Sequence, residues 1–118
     1  MKYLCLVYAD EAKLDAIPTR DRQGLVDAAM DYMDTLRQSG HLIASNALQS
    51  VHTATTVRVE DGRVVTTDGP FAETKEQLGG FILIEARDLD DAVQVAAKFP
   101  PTRVGCVEVR PVRELKHS

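Results

Sequence analysis

The chain contains no tryptophan, and aromatic residues make up only 5% of it. A surface that stacks exposed bases is therefore not expected. It also lacks any basic run. Its 14 Lys and Arg residues stand against 18 Asp and Glu, for a net charge of −4. Without a phosphate-neutralising stripe, nucleic acid is excluded as a partner. Long apolar runs are missing too. The apolar stretch from Tyr3 to Ala9 stops at Asp10-Glu11, far too short to span a bilayer and at the lower margin for a signal peptide. It reads instead as a first strand, so the expectation is a cytoplasmic protein with no membrane partner. Cysteine is scarce: Cys5 and Cys106 both fall within apolar, strand-like runs and are expected to be free, buried thiols. Neither stands beside a His or at a helix start, where a thiolate would be favoured. There is no Cys/His spacing of a zinc site, no phosphate-cradling glycine loop and no nucleophile elbow. The expectation is no metal and no cofactor.

What is present suits one domain over residues 1–118. A chain of this size buries roughly 65% of its unfolded surface and needs no staples. No internal repeat, low-complexity segment or linker interrupts it. Residues 2–8 predict a fully buried strand. A polar loop follows, ending at Pro18-Thr19, with Thr19 as the expected N-cap. Leu25, Ala29, Tyr32 or Met33, and Leu36 recur at helical spacing, so residues 20–39 predict an amphipathic helix that stops at Gly40. Residues 41–50 are a weaker strand. Residues 55–67 predict a hairpin around Asp61-Gly62, which in a type I′ turn sets Glu60 opposite Arg63 and Val59 opposite Val64. Residues 80–86 predict a central strand. Asp88 is placed to cap a second helix, with Leu89, Ala92 or Val93, Ala96 and Phe99 as its buried stripe, and Pro100-Pro101 ends it. Val104 to Val112 is a last strand.

This order is βαββαβ with a β-hairpin inserted between the two halves, a ferredoxin-like α+β fold. Two helices cover one face of such a sheet. The strands at 3–8 and 80–86 carry apolar residues on both faces, so the second face also needs cover. A homodimer built sheet face to sheet face is the expectation.

The densest chemistry lies in Thr67-Asp68-Gly69-Pro70-Phe71-Ala72-Glu73-Thr74-Lys75-Glu76, followed by Leu78-Gly79-Gly80-Phe81. Loops of this kind, held by a rigid scaffold, often carry function. Two readings of Asp68 stand. It closes an Asx-turn by bonding the backbone two residues on, or it is a general base or ligand anchor at a cleft mouth, shielded by a buried Phe71. Glu73 to Glu76 are either a solvated charged loop or a lid in which Lys75 meets an anionic group and Thr74 orients it. Among the histidines, His117 lies in the tail. His41 follows the helix stop, where a cation is favoured and a structural role fits. His52 is the one histidine placed to approach the signature loop.

The signature resembles that of DGPF-type proteins of the YCII-related family. The opening Met1 to Tyr8, the Thr55-Thr56-Val57-Arg58-Val59 strand and the closing Val107-Glu108-Val109-Arg110-Pro111-Val112 extend the resemblance over nearly the whole chain. It implies a dimeric fold of the α+β barrel type. It also implies a stress or regulatory setting, since genes of this type often neighbour extracytoplasmic-function sigma factors. Other YCII-related proteins pair a first-helix His with an Asp as an acid–base dyad, and some relatives eliminate chloride from chlorinated aromatic rings. No His lies in the first helix here, so that dyad does not carry over. Ser45-Asn46 also stands where relatives of this subtype often have Gly-Glu.

Three functions remain open. The first is a small-molecule-binding or regulatory module with its cleft at the Asp68–Phe71 loop, and with Phe71, Thr74 and Lys75 as ligand contacts. The second is a cofactor-independent lyase or isomerase with Asp68 as general base and His52 or Lys75 steadying charge. The third is a structural loop, with function at a protein interface. An enzyme should set Asp68 in a concave pocket. A binding module should show a mostly apolar pocket with few polar anchors. A structural loop should bury Phe71 and spend the Asp68 oxygens on backbone N–H groups.

Overall fold

A computed structural model describes residues 1–118. Along the chain, Lys2–Ala9 is β1, Glu11–Ala16 α1, Thr19–Gln38 α2 and Leu42–Ala47 β2. Thr55–Glu60 is β3, Arg63–Asp68 β4, Gln77–Glu85 β5, Leu89–Lys98 α3 and Gly105–Pro111 β6. Four strands form one antiparallel sheet in the order β2-β5-β1-β6, and β3 and β4 form a separate two-stranded sheet. The four-stranded order and the helices that follow β1 and β5 make this a ferredoxin-like α+β fold.

Side-chain alternation decides the two faces of the sheet. Tyr3 and Cys5 of β1 and Ile82 and Ile84 of β5 are buried, and Tyr32, Met33 and Leu36 of α2 and Ala92 and Val95 of α3 pack on the same cluster. Leu4 and Leu6 alternate with these residues and pair across β5 with Leu83 and Phe81, so they form an apolar row on the opposite face. That row stays half-exposed.

Local chemistry sets the element ends. Residues 10–17, expected as a polar loop, instead contain α1. Asp10 Oδ1 accepts from the Ala12 and Lys13 N–H groups at 3.0 and 3.3 Å, which is enough to start a short helix. Thr19 is not the cap of α2. Pro18 takes that place without a side-chain bond, and Thr19 is already helical. Asp88 caps α3 as expected, accepting from the Asp91 N–H at 2.9 Å. The buried stripe of α3 is Ala92, Val95 and Ala96, with Phe99 just beyond; Leu89, expected within the stripe, is half outside at 51% exposure. A helix of three turns over a narrow sheet hides only its central rows, so an N1 leucine stays at the rim. The hairpin turn is type I′, with Asp61 at φ 50° and Gly62 at φ 76°. It sets Glu60 opposite Arg63 and Val59 opposite Val64.

The molecule is a slab of 48 × 47 × 18 Å with a radius of gyration of 16.3 Å. A compact domain of this length would have about 13.5 Å. Its accessible surface is 8713 Å². About 6,300 Å² is normal for a monomer of this mass, so about 2,400 Å² is in excess.

Candidate functional site

The size of the helix-facing side chains falls along the sheet. The row Leu42-Ile84-Tyr3 is bulky, the next is Ser45-Ile82-Cys5, and the row after that is Ala47-Gly80-Val7. The C-terminal half of α2 rests on the bulky end, where Leu36 is buried. Its N-terminal half crosses the small end, where the sheet floor recedes. A cavity of about 550 Å³ is the result, and 13 of its 19 lining residues are hydrophobic. Met30, Met33 and Ala29 line it from α2, Val7 and Ala47 from the sheet, and Leu14 from α1.

Gly80 is required at the floor. A Cβ there would stand 2.9 Å from the Asn46 carbonyl oxygen, closer than packed atoms approach. Gly79 is the extra residue of a bulge between Val7 and Tyr8 in the β1–β5 register, and its carbonyl accepts from Leu48 N at 2.9 Å. The double glycine that ends the signature stretch thus shapes the cavity.

Among the lining residues only Ser45, Asn46 and Arg22 have polar side chains, Arg22 is the sole charged one, and Asn46, opposite Phe81 in the register, belongs to the other face by its side chain. Arg22 lies in the first turns of α2 and reaches Asp15 of α1 at 3.4 Å, with the two side chains 41% and 80% exposed. An ion pair this long and this wet contributes well under about 1 kcal/mol.

The residues singled out in the sequence lie elsewhere. Asp68 ends β4 and is exposed; its carboxylate accepts no hydrogen bond, so it closes no Asx-turn. The turn is held by the backbone instead. Gly69 donates its N–H to the Ala54 carbonyl at 2.7 Å, and its carbonyl accepts from Thr56 Oγ1 at 2.9 Å. Gly69 sits at φ 108°, which a side chain would oppose. Phe71, expected to be buried, is 79% exposed, with the Arg58 guanidinium 5.6 Å from its ring centroid. Nothing in its own chain stands above the hairpin to cover it. Thr74 donates to the Glu76 carbonyl. His52 lies on a short 3-10 turn, Val51–Thr53, with its ring exposed. Asp68, His52 and Lys75 form no hydrogen bond or ion pair with one another, and none of them, nor Phe71 or Thr74, lines the cavity.

A second polar group lies at the other end of α2. Ser39 Oγ is 2.7 Å from His41 Nδ1, and His41 Nε2 is 3.2 Å from both Asp91 oxygens. The set has the order of a nucleophile triad, but it lies outside the cavity, and its members bond the ends of two helices. Ser39 donates its hydroxyl proton to the Leu36 carbonyl at 3.1 Å. The hydroxyl thus has a backbone carbonyl as well as the ring within reach, and the Asp91 carboxylate is shared between the ring and the Arg87 N–H. The Arg87 backbone N–H, 3.0 Å away, does most to hold the Asp91 carboxyl below the usual carboxylate range, and His41 adds to it. The group clamps the end of α2 to the start of α3, which fits the structural reading of His41.

The thiols are quiet. Burial pushes Cys5 up to about 11. Cys106, expected to be buried, is exposed, because it pairs with Tyr8 and so shares the open face. Desolvation and then the Glu76 carboxylate raise it as well.

The cavity residues Arg22, Ala29 and Ala47 escaped the sequence reading. A signal was there in part: Ala29 stood in the predicted stripe of α2, and small residues at helix-facing positions mark a hollow once the register is known. The chain is 33% identical over 114 residues to "Uncharacterized protein R00369" of Rhizobium meliloti (strain 1021), covering 95% of this chain and 92% of that protein. Residues 1–116 match the YCII-related domain, and the chain belongs to that family.

Proposed function

We propose that this protein is a small-molecule-binding module whose ligand occupies the cavity between α2 and the sheet, and not the Asp68–Phe71 loop. The apolar lining of a cavity of about 550 Å³ carries this reading. Its volume lies in the range of sites for metabolite-sized ligands, and a few polar groups among many apolar ones is their usual make-up. No acid–base pair lines it, which favours binding over turnover. The test is a cavity-filling substitution. Native protein should enhance the fluorescence of 8-anilinonaphthalene-1-sulfonate, and Ala29→Phe should abolish this without lowering the melting temperature. Undiminished enhancement in the filled variant would reject the cavity as the site.

The module works as a homodimer joined through the open sheet face. The half-exposed row of Leu4, Leu6, Phe81 and Leu83 supports this. So does the surplus of about 2,400 Å² of surface, against the roughly 800 Å² per partner that a standard interface covers. Sedimentation should give twice the chain mass, and Leu6→Glu should give the chain mass. A wild type that sediments as a single chain at micromolar concentration would reject the dimer.

A further inference from the structure

The cavity's charge is one-sided, and this narrows what it takes. Arg22 is the only ionisable side chain in the lining, and no carboxylate faces it from inside. From the geometry we infer that the ligand is an amphipathic monoanion: an apolar chain or ring seated against Met30, Met33 and Val7, with one carboxylate-type head on the Arg22 guanidinium. The inference rests on the cavity being the binding site.

Three observations carry it. First, Arg22 lies at the edge of an otherwise apolar space, so a ligand that fills that space brings its head to this side chain. Second, the present partner of Arg22 is replaceable. Asp15 is 80% exposed and stands 3.4 Å away, so it holds the guanidinium weakly and regains its water when displaced. A bound carboxylate would sit beside apolar walls, where a charge-assisted and partly desolvated bond is stronger than the one it replaces. Third, α2 starts at Pro18 with no side-chain cap, so its first N–H groups lie open at the same end, with Asp21 the one acidic side chain of that turn. Ser45 enters from β2 as a neutral polar group. A cationic ligand would meet Arg22 with no counter-charge in the lining, and a wholly neutral one would leave the guanidinium partly desolvated with nothing in return.

The experiment compares decanoic acid with 1-decanol by calorimetric titration at pH 7.5, on the wild type, Arg22→Gln, Arg22→Lys and Asp15→Asn. The acid should bind the wild type about tenfold more tightly than the alcohol, the size of one charge-assisted bond. Arg22→Gln should bring the two together by weakening the acid and leaving the alcohol as it was. Arg22→Lys should keep part of the preference. Asp15→Asn should strengthen the acid alone, because it removes the competitor for the guanidinium. Equal binding of acid and alcohol to the wild type, or a preference that survives Arg22→Gln, overturns the anionic-head assignment and leaves the cavity as an apolar site. Binding of neither compound overturns the cavity reading and this inference with it.

Discussion

The four-stranded body and the β3–β4 arm both carry β-branched apolar residues and set them in opposite environments. Ile82 and Ile84 of β5 lie under two helices, at 3% and 0% exposure. Val57 and Val59 of β3 and Val64 of β4 share one face of the arm and stay 61%, 68% and 71% exposed. All 12 buried residues belong to the body, and none lies between residues 37 and 79. Valine favours strands as isoleucine does, so burial of these side chains is a property of what covers the strand. A two-stranded ribbon with no such cover is marginal in water. The Gly69 and Thr56 bonds close the base of the arm, and its valine face is uncovered.

The sharpest test of that contrast is Ile84→Ala. The side chain is fully enclosed at the centre of the cluster, where the helices cannot collapse far. Its loss should cost about 3–4 kcal/mol and lower the melting temperature by on the order of 10–20 °C. A cost under about 1 kcal/mol would mean that the body's core is as loosely covered as the arm.

Smaller, and confined to acid, is the effect of the clamp between α2 and α3. Asp91 is held below its ordinary value of 3.8 by the Arg87 N–H and by His41. A carboxyl depressed in the folded state stabilises fully above its unfolded value and loses that contribution as pH falls through its folded one. The melting temperature of the wild type should therefore drop on acidification below about pH 4, the unfolded carboxylate range. Asp91→Asn should melt lower at pH 7 and show a shallower drop below pH 4. Parallel pH curves for the two proteins would show that the clamp contributes nothing through charge.

Val59→Ala probes the arm directly. In a chain that leaves this valine uncovered, the change should cost under about 0.5 kcal/mol, as surface substitutions do. The measurement should be made at two protein concentrations. A cost that grows with concentration would place the valine face in an interface with a second copy and would erase the difference between arm and body.

Much of the fold was legible because the signals were local and periodic. The stripe ending in Leu36, the Asp61-Gly62 turn and the Asp88 cap each depend on neighbours within a few positions. The α1 helix was not legible, since its six residues carry no period and rest on a single aspartate. The placement of Phe71 and Cys106 was misjudged for a different reason. Apolar character shows what a residue prefers, while exposure depends on whether another layer stands above it. The cavity lay further out of reach. It appears only when Ala47, Gly80 and Val7 are brought into one row from three strands, and no stretch of the sequence holds them together. The His41–Asp91 pair, 50 positions apart, was hidden in the same way.

The smallest effect belongs to the residue that dominated the sequence. Asp68 lies in the most distinctive motif of the chain, yet its carboxylate accepts no hydrogen bond, and the turn beside it is held by Gly69 and Thr56. Replacing one carboxylate oxygen by an amide removes no bond of the fold. Asp68→Asn should shift the melting temperature by no more than about 2 °C, the equivalent of about 0.5 kcal/mol, and should leave decanoic acid binding unchanged. A fall of several degrees would mean that the carboxylate holds the arm's base through a contact made only in the assembled protein. An intact fold that no longer binds the acid would move the ligand from the cavity to the signature loop. The motif's distinctiveness would then lie in chemistry, where the present geometry assigns it to backbone: a glycine at positive φ, a proline after it and a double glycine that makes room under α2.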